Sequence, residues 1–208
     1  MNATDESERL EQALRVAGEA AAPSAATLAA LASRADREGL VEVAVSSAES
    51  PFGELLLAAT AAGLVRVGLP NVARDTALDE LAARVSPRIV ELPARLDRAR
   101  RQLDEYFLGS RHDFDLELDR RLSGAGFTAR AQRGIESVGF GQVISYGELA
   151  ARAGNRRAHR AAGSACGANP MPIVVPCHRI VLSDGGVGSY AGGPEMKREL
   201  LRMEAVGS

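Results

Sequence analysis

Residues 169–179 read Asn-Pro-Met-Pro-Ile-Val-Val-Pro-Cys-His-Arg. The stretch delivers an apolar run, Ile173-Val174-Val175, to a cysteine set directly behind Pro176. A proline interrupts a backbone ladder, so Cys177 is expected at a strand-to-helix or strand-to-turn junction. Backbone N–H groups at a helix start favour the thiolate, the strongly nucleophilic form of cysteine. His178 can take the thiol proton, and a basic neighbour such as Arg179 would ease ionisation further. A buried cysteine standing alone is more often an inert small hydrophobe; the adjacent His and Arg weigh toward chemistry.

Upstream of this stretch the chain reads as helices. Residues 127–138 carry a loose helical pattern. Ser145-Tyr146-Gly147-Glu148 places a capping Ser three residues before a Glu, a capping box for a helix over 146–153 that Gly154-Asn155 stops. Residues 157–167 give another short helix, carrying Arg157 and Arg160. Two short helices around a tight Gly-containing turn, the second one basic, match a helix-turn-helix. Such pairs also occur in helical domains that never touch DNA, so the pattern alone decides nothing.

The first half has a different texture. Val41, Val43 and Val45 alternate with other residues, and Pro51-Phe52-Gly53 makes a turn. Leu55–Ala59 and Leu64–Gly68 follow as short apolar runs, which together predict an antiparallel meander. Residues 74–85 read as a helix and 88–91 as a strand. Leu96, Ala99, Leu103 and Phe107 line one face of a charged helix ending at Gly109. Phe114, Leu116 and Leu118 alternate with acids, as in a half-buried strand. Earlier still, Leu10, Ala13, Leu14 and Ala17, and then Leu28, Leu31 and Ala32, fall at helical spacing on either side of Pro23. The expected architecture is α+β in three parts: an extension over 1–38, an α/β domain over 39–120 and a helical domain over 121–208.

At 208 residues, 46% hydrophobic and 25% charged, the chain can bury a sizeable core. No stretch approaches the roughly 18 consecutive apolar residues of a membrane span. The start, MNATDESERLEQ, is acidic where a secretory signal would be basic and then apolar. The reading is a soluble cytoplasmic protein with no membrane association. Two cysteines make no disulfide framework, and three histidines without a CxxC pair leave little from which to build a zinc site. Neither metal nor cofactor is expected. The net charge of −2 hides an asymmetry: residues 121–208 hold eleven Arg/Lys against six Asp/Glu, so the second half is basic and the first acidic. A basic half suits a polyanionic partner, and ordinary charge scatter would look the same.

Taken together, PCHR behind NPMPIVV, GSYAGG downstream, ISYGELA and AHRAAG upstream and the final KRELLRMEA closely resemble the O6-alkylguanine-DNA alkyltransferase family. The resemblance covers roughly residues 127–205, with a looser match through SPFGELLLAAT and LDEYFLG in the first half. It implies a ribonuclease H-like first domain and a winged-helix-like DNA-binding second domain carrying the reactive cysteine. Cys177 would accept the alkyl group, irreversibly and once per molecule. His178 and Glu204 would complete a Cys–water–His–Glu relay, although Glu204 alone would read as a surface acid. Asn169 would tie the turns around the nucleophile, and Tyr146 would donate a hydrogen bond to the leaving purine. Tyr190 and the N–H of Ala191 would cover the guanine, carbonyls at Cys177 and Ile180 would accept from its amine, and Pro172 and Ser189 would complete the pocket. Arg160 would fill the gap left by the flipped nucleotide, with Arg157, Ser145, Ala161, Ala162 and Gly163 along the DNA face. The implied partner is duplex DNA containing alkylated guanine, met by a monomer without cofactor or metal. O4-methylthymine stays open as a second substrate.

The sequence departs from the family pattern at Gln132 (commonly Trp), Gly139 (the Pro of an IPxG turn), Ala162 (commonly Val) and Ala191 (Ser). None removes a reacting group. Cys166 has no counterpart in the relay and reads as a small buried residue. Rival readings are a non-catalytic protein that binds alkylated DNA, a regulator of the same fold, and a cysteine hydrolase. The first would lack the acceptor cysteine, and the last would need an oxyanion hole for which no motif stands out.

Overall fold

The computed structural model describes residues 23–205. The chain divides into two compact units, residues 1–39 and 40–208. The first holds helix α1 (Ala25–Arg37), started by Ser24, whose hydroxyl accepts from the Thr27 N–H at 3.1 Å. Leu28, Leu31 and Ala32 fall within it; Leu10 to Ala17 lie outside the described residues.

The second unit opens with a four-stranded sheet of β1 (Val43–Ala48), β2 (Leu55–Thr60), β3 (Gly63–Gly68) and β4 (Ile89–Glu91), in the order β3-β2-β1-β4. The first three strands form the expected antiparallel meander. β4 instead runs parallel to β1, after a crossover through helix α2 (Arg74–Arg84), so the sheet is mixed. One face joins Leu55, Leu57, Leu64 and Val67 to the main core, while Val43, Val45, Leu56 and Val65 on the other pack against Ala77 and Leu81 of α2. Covering both faces explains why β2 is buried along its whole length instead of alternating.

Helix α3 (Asp97–Phe107) follows a short 3-10 turn, Pro93–Leu96. Its inward face is Ala99, Gln102, Leu103 and Tyr106; Phe107, expected there, is only partly buried. The alternating Phe114, Leu116 and Leu118 do pack on the core, but they form no strand. A single bridge, Leu64 with Leu118, is all the pairing this segment makes with the sheet. The Gln102 side chain takes the place of a neighbouring strand: its amide donates to the Asp115 carbonyl at 3.0 Å and its oxygen accepts from the Asp115 N–H at 2.9 Å. The close approach needs Gly63 (φ 124), where a Cβ would sit 2.2 Å from the Glu117 carbonyl oxygen.

Helices α4 (Gly126–Glu136), α5 (Tyr146–Arg152) and α6 (His159–Gly167) then pack against one another. Strands β5 (Ile144–Ser145) and β6 (Ile180–Val181) pair in parallel, and helix α7 (Gly193–Ala205) closes the unit. Ser145 caps α5 as expected, accepting from the Glu148 N–H at 3.1 Å. Glu148 does not complete the box; its carboxylate takes a hydrogen bond from Arg152, one turn on, at 2.7 Å. α6 begins at His159, so Arg157 lies in the preceding turn, where its N–H donates to Asn155 Oδ1 at 3.1 Å.

Candidate active site

The run Ile173-Val174-Val175 is a tight turn and not a strand. Val175 N–H donates to the Met171 carbonyl at 2.8 Å, and Ile173 adopts φ 75, a left-handed conformation that β-branched residues rarely take. Full burial of Ile173, Val175 and Met171 in the main core holds that turn closed. Asn169 binds it from within. Its amide nitrogen donates to the Val175 carbonyl at 2.8 Å and to Cys177 Sγ at 3.2 Å, and its oxygen accepts from the Met171 N–H at 3.0 Å.

Cys177 opens a 3-10 turn of three residues, Cys177–Arg179, too short to carry the helix dipole the sequence suggested. The thiol is 3% exposed. Burial pushes its pKa up to about 11, against the pull of the Asn169 hydrogen bond and the Lys197 charge. Arg179, expected to assist the thiol, is turned away from it. Its guanidinium is spent on the Glu204 carboxylate, at 2.9 Å through both Nε and Nη2, and on the Val138 carbonyl.

Lys197 is the cation that acts on the thiols, and the sequence reading missed it. It is fully buried on α7, donates to the Ile180 and Ser189 carbonyls, and lies 5.6 Å from the centre of the Tyr146 ring. The spacing Lys197–Leu200–Glu204 puts the three on one helical face, but on so charged a helix nothing in the sequence marked that face as the buried one. The Ile180 carbonyl, expected to accept from the base amine, thus already accepts from Lys197, with its second lone pair left over.

His178 and Glu204 meet as expected, with Nε2 2.8 Å from Oε1 and both side chains buried. Burial raises the Glu204 pKa, but hydrogen bonds and charge from His178 and Arg179 outweigh it and hold the carboxyl at about 2. Burial lowers the His178 pKa below 6.5, opposed by the Glu204 contact. An ionised Glu204 beside a neutral imidazole requires Nε2 to carry the proton and donate it, an assignment made from the hydrogen-bond network. Nδ1 is then a lone-pair acceptor; it is buried and has no hydrogen-bond partner among the described residues. Tyr106 OH, also missed, donates to the same carboxylate at 2.8 Å.

Tyr146 is half-buried at the start of α5, beside Gly163 of α6 and Gly188. Its hydroxyl donates to the Ser189 carbonyl at 3.3 Å, and burial pushes its pKa up to about 12. Gly188 has φ 69, and a Cβ there would lie 3.1 Å from the Tyr146 hydroxyl. The Tyr190 ring meets the His178 ring edge-on at 6.4 Å, with its hydroxyl buried and unpartnered among the described residues. A cleft of about 720 Å³ runs past Ser145, Tyr146, His159, Gly163, Leu182 and Ser189. Asn169, Pro172 and Ala191 border a separate cavity of about 360 Å³.

Arg157, Arg160 and Ala161 are exposed and Gly163 half-buried. Ala162 is fully buried, which removes its side chain from any DNA face. Cys166 is buried in the same cluster as Cys177, and burial raises its pKa to about 12, reinforced by Cys177. Gln132 is buried too. Its amide donates to the Ala165 and Ala168 carbonyls at 3.4 and 3.2 Å, tying α4 to the end of α6. Among the described residues, no cluster of three or more His, Cys, Asp or Glu could hold a metal ion, and no helix is long and apolar enough to cross a membrane.

Two family models match the chain. One is the ribonuclease-like domain of 6-O-methylguanine DNA methyltransferase, over residues 43–120, and the other the DNA-binding domain of the same proteins, over residues 126–206. A methylated-DNA–protein-cysteine methyltransferase of Mycolicibacterium paratuberculosis is 42% identical over 114 residues, 55% of this chain and 68% of that protein. One of Methanosarcina acetivorans is 34% identical over 156 residues, 75% of this chain and 94% of that protein. Among solved structures, the Mycobacterium tuberculosis O6-methylguanine methyltransferase superposes with a TM-score of 0.69 at 32% identity, covering 80% of this chain and 94% of that one. The M. tuberculosis protein in complex with DNA gives 0.68 at 33%, covering 81% and 95%.

Proposed function

The chain belongs to the 6-O-methylguanine DNA methyltransferase family, and on that premise we propose that Cys177 is its alkyl acceptor and O6-alkylguanine in duplex DNA its substrate. It binds DNA and repairs it directly, by transferring a methyl or alkyl group to a cysteine of its own. One observation carries the choice of cysteine. Of the two, Cys177 has the Asn169 amide on its sulfur and is followed by a histidine whose Nε2 is fixed by Glu204 and whose Nδ1 is left as a base.

In the proposed reaction a bridging water passes the Cys177 proton to His178 Nδ1, and Glu204 stabilises the imidazolium that forms. The sulfur attacks the alkyl carbon from the side opposite the purine oxygen. The C–S bond forms as the C–O bond breaks, and the electron pair leaves with the guanine. Tyr146 OH and the Ala191 N–H meet the charge developing on the base; Tyr146 must first release the Ser189 carbonyl. The product thioether has no easy leaving group, so each molecule reacts once.

The damaged nucleotide must leave the stack, at roughly a few kcal/mol. Arg160, exposed on α6, would fill the gap, with Arg157 on the adjacent phosphates. We assign this work to residues 121–208, with residues 39–120 as the scaffold behind them, in a monomer. Intact-protein mass spectrometry after incubation with a methylated duplex is expected to show one added methyl, about 14 Da, on Cys177 and none in Cys177→Ala. Methylation of Cys166, repeated turnover, or tight binding without a mass change would sink the reading.

A further inference from the structure

Asn71 stands in the turn between β3 and α2, 120 residues from the loop it touches. Its side-chain amide donates to the Ala191 carbonyl at 2.8 Å. That loop, residues 188–193, is bounded by two glycines in the left-handed region, Gly188 at φ 69 and Gly193 at φ 88. Its near end is held at the Ser189 carbonyl, which accepts from Tyr146 and Lys197. Two cavities border its far end: one of about 360 Å³ reaches Ala191, and another of about 610 Å³ borders Asn71, Pro70 and Gly192. The Asn71 bond and the side chain of Leu69, which a Cβ on Gly192 would approach to 3.2 Å, reach the loop from the first half of the chain.

We infer that Asn71 is a positioning residue for alkyl transfer, setting the orientation of Ala191 in the loop that covers the purine. Holding the Ala191 carbonyl limits rotation about that residue and thereby aims its N–H, the donor assigned to the guanine O6. Asn71 touches neither base nor sulfur. The inference rests on the reading above for the role of the loop, though the hydrogen bond itself does not.

Two variants test it. Asn71→Asp keeps the shape but has no proton to donate, and Asn71→Ala removes the group. In the DNA-free protein, hydrogen–deuterium exchange in a peptide spanning residues 188–193 is expected to quicken about tenfold in both. With a saturating methylated duplex, the single-turnover transfer rate is expected to fall about three- to tenfold, while affinity for unmodified duplex and the melting temperature hold. Unchanged exchange overturns the inference. So does an unchanged transfer rate, or a parallel loss of affinity for unmodified DNA, which would mark a general structural defect. If the parent protein itself takes up no methyl, the functional reading fails, and the exchange measurement still decides whether Asn71 holds the loop.

Discussion

The phenol of Tyr106 donates a 2.8 Å hydrogen bond to the carboxylate of Glu204, joining two buried residues 98 apart in the chain. Helix α3 of the first half thus supports the acid that orients His178 in the second. Tyr106→Phe keeps the ring in the core and removes the donor. It is expected to cost about 1–3 kcal/mol in urea denaturation, as for a buried hydrogen bond to a charged group. The transfer rate should fall less than tenfold, because Arg179 and the Gly141 N–H still hold the carboxylate. A variant as stable as the parent would show the bond to be dispensable.

Arg179 is the counter-charge that makes Glu204 tolerable inside the protein, since both side chains are almost wholly buried. Arg179→Met should cost about 3–5 kcal/mol, because it strands an ionised carboxylate. Arg179→Lys should recover only part of that, as a single ammonium cannot bridge both oxygens. Thermal or chemical denaturation of the two variants measures the difference; equal stability of Met and parent would contradict it.

The pH dependence of transfer should report on His178. With the thiol pKa at about 11, proton removal near neutrality depends on a neutral imidazole. Burial lowers the His178 pKa below 6.5, so the rate should be level through neutrality and decline only in acid below 6.5, as Nδ1 becomes protonated. Single-turnover rates from pH 5 to 9 test this. A rate rising about tenfold per pH step through that range would mean simple thiol ionisation instead.

Stability should also fall in acid. A carboxyl held at about 2 when folded, against 4.5 ordinarily, contributes about 3 kcal/mol that is fully present above pH 4.5 and lost as the pH drops toward 2. His178 adds to the decline, since unfolding lets a buried neutral imidazole take up a proton below pH 6.5. Denaturation series on the parent and Glu204→Gln should diverge above pH 4.5 and converge below it. Parallel curves would show that Glu204 titrates normally.

How far these features were legible depended on how local they were. The part of Asn169 was implied only by the resemblance, whereas Cys177 and His178 are adjacent, behind a Pro that marks the junction on which they sit. The capped start of α5 was readable for the same reason. Glu204 emerged only through resemblance, since nothing local marks an acid on a charged helix as buried. Tyr106 was masked by Phe107, whose neighbouring position satisfies nearly the same periodicity. The parallel direction of β4 and the missing strand at Phe114–Leu118 depend on distant partners, Val43–Val45 for the first and Gln102 for the second. Asn71 carried no signal, being a polar residue in a turn where polar residues are ordinary.

Cys177 shares one continuous apolar cluster with Leu55 and Leu57 of the sheet and Leu200 of α7. Interiors packed this closely tolerate an extra methylene poorly, at a typical cost of about 1–3 kcal/mol. If the adduct forms on Cys177 as proposed, the methylated protein is expected to melt below the unreacted one. Thermal denaturation would then tell used copies from fresh ones by fold, without any recogniser of the thioether itself.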